Sequence, residues 1–219
     1  RPFRADQVFT WLYRKDVCDW DGMSNLAKST RQLLIENFHL PRLTRVAEQV
    51  SKDGSRKYLL SLHDGKTIET VLMPHHDHHT VCVSSQVGCA MGCSFCVTGK
   101  MGLIRNLSAG EIVEQVVEAR RDATGLPLRN IVFMGMGEPF HNYDQVMTAL
   151  EILTDEYGFN FSQRRVTVST SGLVHQIRRL GQERVNANLE ISLTRSSDTV
   201  RERLMPVNKR YNLAQLVQV

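Results

Sequence analysis

The sequence predicts an α/β protein: a parallel sheet preceded by a small helical domain, with a β-hairpin connecting the two. Three observations predict it. From residue 80 onward, β-prone apolar runs alternate with amphipathic helical stretches; an Asp-Gly pair separates two β-prone runs within residues 58–73; and residues 1–44 carry helical periodicity. Repeated β-then-α units imply parallel strands joined by right-handed crossovers. Four such strands suit an open sheet or the first part of a (β/α) barrel, and in both architectures ligands gather at the C-terminal ends of the strands.

The elements follow in order. In residues 1–44, Val8, Trp11 and Leu12 share one helical face, and Leu33 and Leu34 lie on a second helix that runs into Pro41. Aromatic and basic residues interleave there, from Phe9, Trp11, Tyr13, Arg14 and Lys15 to Trp20. They read either as a small helical core with solvated charges or as an RNA-docking domain. Residues 45–79 are the connector. Tyr58-Leu59-Leu60-Ser61-Leu62 and Thr67-Ile68-Glu69-Thr70-Val71-Leu72-Met73 flank the hairpin signal Asp64-Gly65. Period two puts Ile68, Thr70 and Leu72 on one face and Glu69 and Val71 on the other, so spacing alone makes Glu69 an exposed outer-face residue. His75-His76-Asp77-His78-His79 reads as a solvated linker with at most weak metal affinity.

Residues 80–219 hold the α/β core. Strands are expected at 81–85, 130–135, 165–170 and 187–193. Ser108-Ala109-Gly110-Glu111 is a capping box for a helix with Ile112, Val113, Val116 and Val117 as its buried stripe. Asn142 is placed to cap a helix carrying Val146, Met147, Leu150 and Leu153. A helix at 173–180 stops at Gly181, and another begins at 213.

Composition narrows the class. The 219 residues are 42% hydrophobic and 23% charged, enough apolar content for a core and against disorder. The formal charge of +4 permits a nucleic-acid partner without requiring one. No apolar run reaches the ~18–20 residues of a membrane span, and Arg1-Pro2-Phe3-Arg4 does not open a secretory signal, so a cytoplasmic protein with no membrane partner is expected. The chain lacks an initial Met and begins within a helical pattern, as a trimmed or partial chain does. Four of its five cysteines crowd between positions 82 and 96, which points to a metal or cluster in a reducing compartment rather than to a disulfide framework. Cys18, alone, reads as a small buried apolar residue.

Cys89-Ala90-Met91-Gly92-Cys93-Ser94-Phe95-Cys96 has the spacing C-x3-C-x2-C. Three thiolates on one tight loop can hold three irons of a cubane and leave the fourth open to a small molecule. Gly88 and Gly92 let the loop wrap closely. The competing reading is a structural zinc site completed by Cys82 or a histidine, but no second CxxC pair is present. Gly135-Met136-Gly137-Glu138-Pro139 follows a predicted strand; its glycines admit a ligand to the backbone, and its carboxylate can accept from an ammonium group.

The cysteine spacing, with an aromatic before the last Cys, resembles the signature of the radical S-adenosylmethionine (SAM) superfamily. The resemblance implies a radical SAM (β/α) barrel, here partial, with a [4Fe-4S] cluster on Cys89, Cys93 and Cys96 whose open iron is chelated by SAM. Cys82-Val83-Ser84-Ser85-Gln86-Val87-Gly88, Cys96-Val97-Thr98-Gly99, Arg105-Asn106-Leu107-Ser108-Ala109-Gly110-Glu111-Ile112 and Leu204-Met205-Pro206-Val207-Asn208 resemble the RlmN/Cfr family more narrowly. That family comprises adenine methyltransferases of 23S ribosomal RNA and, on the RlmN side, of tRNA. The likeness covers nearly the whole chain and is closer to RlmN, implying C2 rather than C8 methylation and an electron donor such as flavodoxin or ferredoxin.

The resemblance also implies residue roles. A methylcysteine near the family's C-terminus donates its carbon to adenine, and a resolving cysteine releases the product with formation of a disulfide. Cys82 matches the resolving cysteine, and Glu69 matches the proton acceptor, which reverses the outer-face reading of Glu69. SAM contacts carry over to Gly137, Glu138, Ser169, Ser192, Leu193 and Thr194. Two departures stand out. The family has His where this chain has Thr194, and the chain ends before the methyl-carrying cysteine and a late SAM-binding Asn. A Cfr-like adenine C8 methyltransferase, a small-metabolite radical SAM enzyme and a non-catalytic zinc-bearing RNA-binding protein are the remaining alternatives.

Overall fold

The structure is a computed structural model that describes residues 3–17, 19–40, 42–184 and 187–219. The expectations for Cys18 and for Pro41 lie outside the described residues. At the N-terminus, α1 (Phe3–Phe9) continues into a π-helical stretch, Thr10–Arg14, and α2 spans Lys28–Asn37. This region rests on the core through Tyr13, whose ring stacks on Phe159 at 5.3 Å, and through Arg14 Nη2, which donates to the Glu156 carbonyl at 2.8 Å. Its own buried anchors, Met23 and Leu26, lie between the helices, while Leu33 on α2 is 60% exposed.

Three antiparallel strands follow: β1 (Thr44–Val50), β2 (Arg56–Ser61) and β3 (Thr67–Pro74). The turn at Asp64-Gly65 forms as expected, with Gly65 at φ +75°. Ile68, Thr70 and Leu72 are buried, and Glu69 and Val71 are not, so the period-two reading holds; β1 is an additional strand. The histidine tract is not a linker. It is the tight turn from β3 into β4 (His79–Cys82), closed by His75 N–H donating to the His78 carbonyl at 2.8 Å with the two imidazoles stacked at 4.6 Å.

The chain then makes a small excursion: β5 (Gln86–Cys89), α3 (Val97–Lys100) and β6 (Gly102–Asn106), with β5 and β6 paired antiparallel. Next, α4 (Ala109–Asp122) opens on the expected capping box between Ser108 and Glu111. After β7 (Leu128–Phe133) comes α5 (Tyr143–Thr154). Asn142 holds the N-cap position of α5, yet its side chain does not cap the helix. Its Nδ2 donates instead to the buried Ser85 and Leu107 carbonyls, each at 2.8 Å. β8 (Val166–Thr170), α6 (Val174–Leu180) and β9 (Asn188–Ile191) complete the repeats, followed by α7 (Asp198–Leu204) and α8 (Leu213–Val217).

The sheet has seven strands in the order β1-β2-β3-β4-β7-β8-β9. Strands β4, β7, β8 and β9 run parallel, and β1 to β3 extend the same sheet antiparallel. Helices α4, α5 and α6 cover one face, where Ile112, Val116, Leu150 and Ile177 pack with Ile131, Phe133, Val166 and Val168 in one apolar core. No described helix is long and apolar enough to cross a membrane.

Candidate active site

The β5–β6 hairpin presents the three cysteines. Cys89 ends β5, and Cys93 and Cys96 follow on the loop that enters α3. Gly88 sits at φ +76°, where a Cβ would stand 1.9 Å from the Gly102 carbonyl oxygen, so only glycine allows the hairpin to close this tightly. The loop is tied inward by Cys96 N–H donating to the Cys93 carbonyl at 3.1 Å and outward by Ser94 N–H donating to the Leu204 carbonyl at 2.9 Å.

A cavity of about 350 Å³ lies between this loop and the C-terminal ends of β7, β8 and β9. Cys89, Cys93 and Cys96 line it, as do Gly137, Glu138, Ser169 and Ser192. The structure therefore brings seven of the sequence-predicted residues to one place, at the end of the sheet where α/β folds bind ligands. The remaining four lie elsewhere. Leu193 and Thr194 follow Ser192 in the loop after β9; Thr194 Oγ1 donates to Met205 Sδ at 3.0 Å, and Met205 does line the cavity.

Glu69 and Cys82 stand on the sheet face opposite the helices. Register pairs Cys82 with Val71 on one side and Val132 on the other, so Glu69, Cys82, Met134 and Ser169 project from the same face. Glu69 is half-exposed, with Lys57 Nζ 2.9 Å from its Oε1. Its main-chain carbonyl accepts from Ser84 Oγ at 2.6 Å.

Glu138 is 3% exposed. Its carboxylate accepts from Thr170 Oγ1 and Ser171 N–H, both at 2.7 Å, and from Phe140 N–H at 3.1 Å. Its own N–H donates to Gln86 Oε1 at 2.9 Å. Those three acceptor bonds leave room for roughly one more donor on the carboxylate. Beside it, the buried hydroxyl of Ser171 has no partner in the structure, an orphan polar atom on the cavity wall.

The donor set fits an iron–sulfur cubane: three thiols on one loop beside an open cavity. Among the described residues, no set of three or more His, Cys, Asp or Glu converges on a single point. Burial pushes the Cys89 thiol up to about 11 and raises Cys93, and the nearby Glu138 charge adds to both; burial raises Cys82 as well. Cys89 and Cys93 thus stay protonated at neutral pH until a cation displaces the proton.

Sequence reasoning missed Gln86, Ser171 and Met205 as site components. Gln86 and Met205 fall inside motifs that had no assigned role, and Ser171 stands two residues past Ser169, at the end of β8 where ligand contacts collect.

Comparison with known proteins gives independent findings. The radical SAM superfamily model matches residues 83–219, and a ribosomal RNA large subunit methyltransferase N-terminal domain model matches residues 1–40. A dual-specificity RNA methyltransferase RlmN from Syntrophotalea carbinolica is 53% identical over 98% of this chain and 57% of that relative. The RlmN protein of Geotalea uraniireducens is 51% identical over 98% of this chain and 62% of its own length. A solved structure, a radical SAM methyltransferase from Sphaerobacter thermophilus, superposes with a TM-score of 0.93 at 51% identity, covering 99% of this chain and 64% of the other. The chain spans about three fifths of the length of the curated relatives it matches.

Proposed function

This chain belongs to the radical SAM superfamily, and on that footing we propose that it forms the docking and cluster-binding part of an enzyme that methylates C2 of an adenine in 23S ribosomal RNA and in tRNA. The observation that carries the reading is the shared cavity of Cys89, Cys93 and Cys96 with the Gly135–Pro139 loop, residues 135–139, at the ends of the parallel strands.

In this reading Cys89, Cys93 and Cys96 hold a [4Fe-4S] cluster. When bound, the cluster supplies the single electron that starts radical chemistry with SAM at an unactivated aromatic carbon. The chain's own residues do the rest. Gly137, at φ +102°, brings the main chain against β5 and leaves its open side to the ligand. Glu138, Ser169 and Ser192 offer polar atoms toward SAM, and Leu193 and Thr194 shape the adjoining loop. Glu69, whose Oε1 lies 2.9 Å from Lys57 Nζ, takes up the C2 proton. Cys82, on the same sheet face, is the resolving thiol. The helical domain of residues 1–44 docks RNA, and a flavodoxin- or ferredoxin-type protein in the cytoplasm delivers electrons.

The test uses the full-length protein purified without oxygen. The reading requires an iron–sulfur centre whose electron paramagnetic resonance spectrum changes on adding SAM, and loss of 2-methyladenosine from the RNA of cells lacking the gene. A colourless protein with one tight zinc defeats it. A loss of 8-methyladenosine instead reassigns the carbon.

A further inference from the structure

Arg201 on α7 is among the largest fully buried side chains of the described residues. A guanidinium has five N–H donors and is always charged, so burying one is costly unless each donor is met and the charge is balanced. The donors are met. Nη2 donates to the Ser171 carbonyl at 2.6 Å and the Ser192 carbonyl at 3.4 Å. Nε donates to the Leu193 carbonyl at 3.1 Å. Nη1 donates to Asn208 Oδ1 at 2.6 Å and to the Tyr211 carbonyl at 3.5 Å.

None of these acceptors is a carboxylate. Asp198 is one step removed, reached through Asn208 Nδ2 at 2.9 Å. The Asp198 charge partly offsets the cost of burying the guanidinium, and Ser94, next to Cys93, donates its N–H to the Leu204 carbonyl at 2.9 Å, which ties the cysteine loop to the helix that carries Arg201. Ser171 and Ser192 end the two strands that wall the ligand cavity, and Met205, one turn beyond Arg201, lines the same cavity. Gly172, at φ +110°, has Arg201 Nη2 3.4 Å from where its Cβ would lie, so a side chain there would crowd the guanidinium.

We propose that Arg201 is a positioning residue of the ligand cavity: it clamps the ends of β8 and β9 to each other and to the turn at Asn208, and its charge is balanced by the anionic group the cavity takes, the thiolate-bound cluster together with a ligand carboxylate. This assigns a role to the Leu204-Met205-Pro206-Val207-Asn208 motif, whose Asn fixes the guanidinium and whose Met faces the cavity. The inference rests on the cluster-and-SAM reading above.

The test compares the full-length protein with its Arg201→Lys and Arg201→Met variants, each loaded with iron and sulfide without oxygen. Lysine keeps the charge and loses the fork, so SAM binding weakens roughly tenfold or more, the scale of lost charged hydrogen bonds, while the cluster midpoint potential stays near wild type. Methionine loses both, so the midpoint potential also moves to more negative values, because a buried cation favours the reduced, more anionic cluster. A folded Arg201→Met protein with full iron content, wild-type potential and wild-type SAM affinity overturns the proposal. Should that variant fail to fold, Arg201→Lys decides alone: unchanged SAM affinity overturns it. A wild-type protein that holds no cluster defeats the functional reading and this inference together, whereas a normal wild type with unaffected variants defeats only the inference.

Discussion

The amide oxygen of Gln86 accepts the backbone N–H of Glu138 across 2.9 Å, joining the strand that leads into the cysteine loop to the glycine loop on the other side of the cavity. The same side chain donates from Nε2 to Asn106 Oδ1 at 2.7 Å, so one buried amide holds three segments of the site. Replacing Gln86 with Leu strands the Glu138 N–H in the interior. A loss of about 1–3 kcal/mol in unfolding free energy is expected, measured by urea titration with the slope unchanged.

Gly88→Ala should empty the site. The added methyl would fall on the Gly102 carbonyl, and the positive φ adds about 1–2 kcal/mol for any L-residue. Iron and sulfide per chain after anaerobic loading should drop to a small fraction of wild type. Full incorporation would show that the hairpin can open without harm.

Glu69→Gln separates chemistry from binding. The proposed acceptor of the C2 proton contributes nothing to holding the cluster, and its side chain is half-exposed. Turnover of the full-length variant should fall by about 10²-fold or more while the cluster spectrum and SAM affinity stay as they were. Equal activity would remove Glu69 from the mechanism.

Glu114 gives the fold a pH dependence. It is buried on α4 beside Arg42 at 3.2 Å, and burial pushes it up to about 7, with Arg42 only partly opposing. Its folded pKa lies above its unfolded value near 4.5, so the native state binds the extra proton. The stability it contributes is complete below about 4.5 and is lost as pH rises toward 7. Thermal melts of wild type should therefore decline from pH 5 to pH 7.5 more steeply than those of Glu114→Gln.

Thr194 occupies the left-handed region at φ +61°, a poor conformation for a β-branched side chain. Asparagine tolerates it better, so Thr194→Asn should gain about 1 kcal/mol, read as a rise in midpoint temperature. A fall would mean that the Oγ1–Sδ contact with Met205 matters more than the backbone strain.

The parallel strands and the α4 capping box were legible because local pattern and tertiary demand agree there: Ser108 and Glu111 satisfy helix donors whatever surrounds them. The grouping of Cys89, Cys93 and Cys96 was legible from spacing, since one loop holds all three. The β5–β6 hairpin was not, because its short polar and glycine-rich strands carry no hydrophobic period. The N-cap of α5 misled for a related reason: Asn142 has the right identity and place, but two buried carbonyls compete for its amide. Arg201 was invisible in the sequence, where an arginine on a polar helix reads as solvated; only the convergence of four loop carbonyls and Asn208 Oδ1 explains why it is inside.

The border strand β9 has a hydrogen-bonded neighbour on one side only among the described residues, and Leu189 on it is 38% exposed. An edge strand of this kind is the template on which separate molecules zip together. Concentrated preparations of this 219-residue chain are thus expected to self-associate edge to edge, and a lysine at position 189 is the substitution that should keep them monodisperse in light scattering.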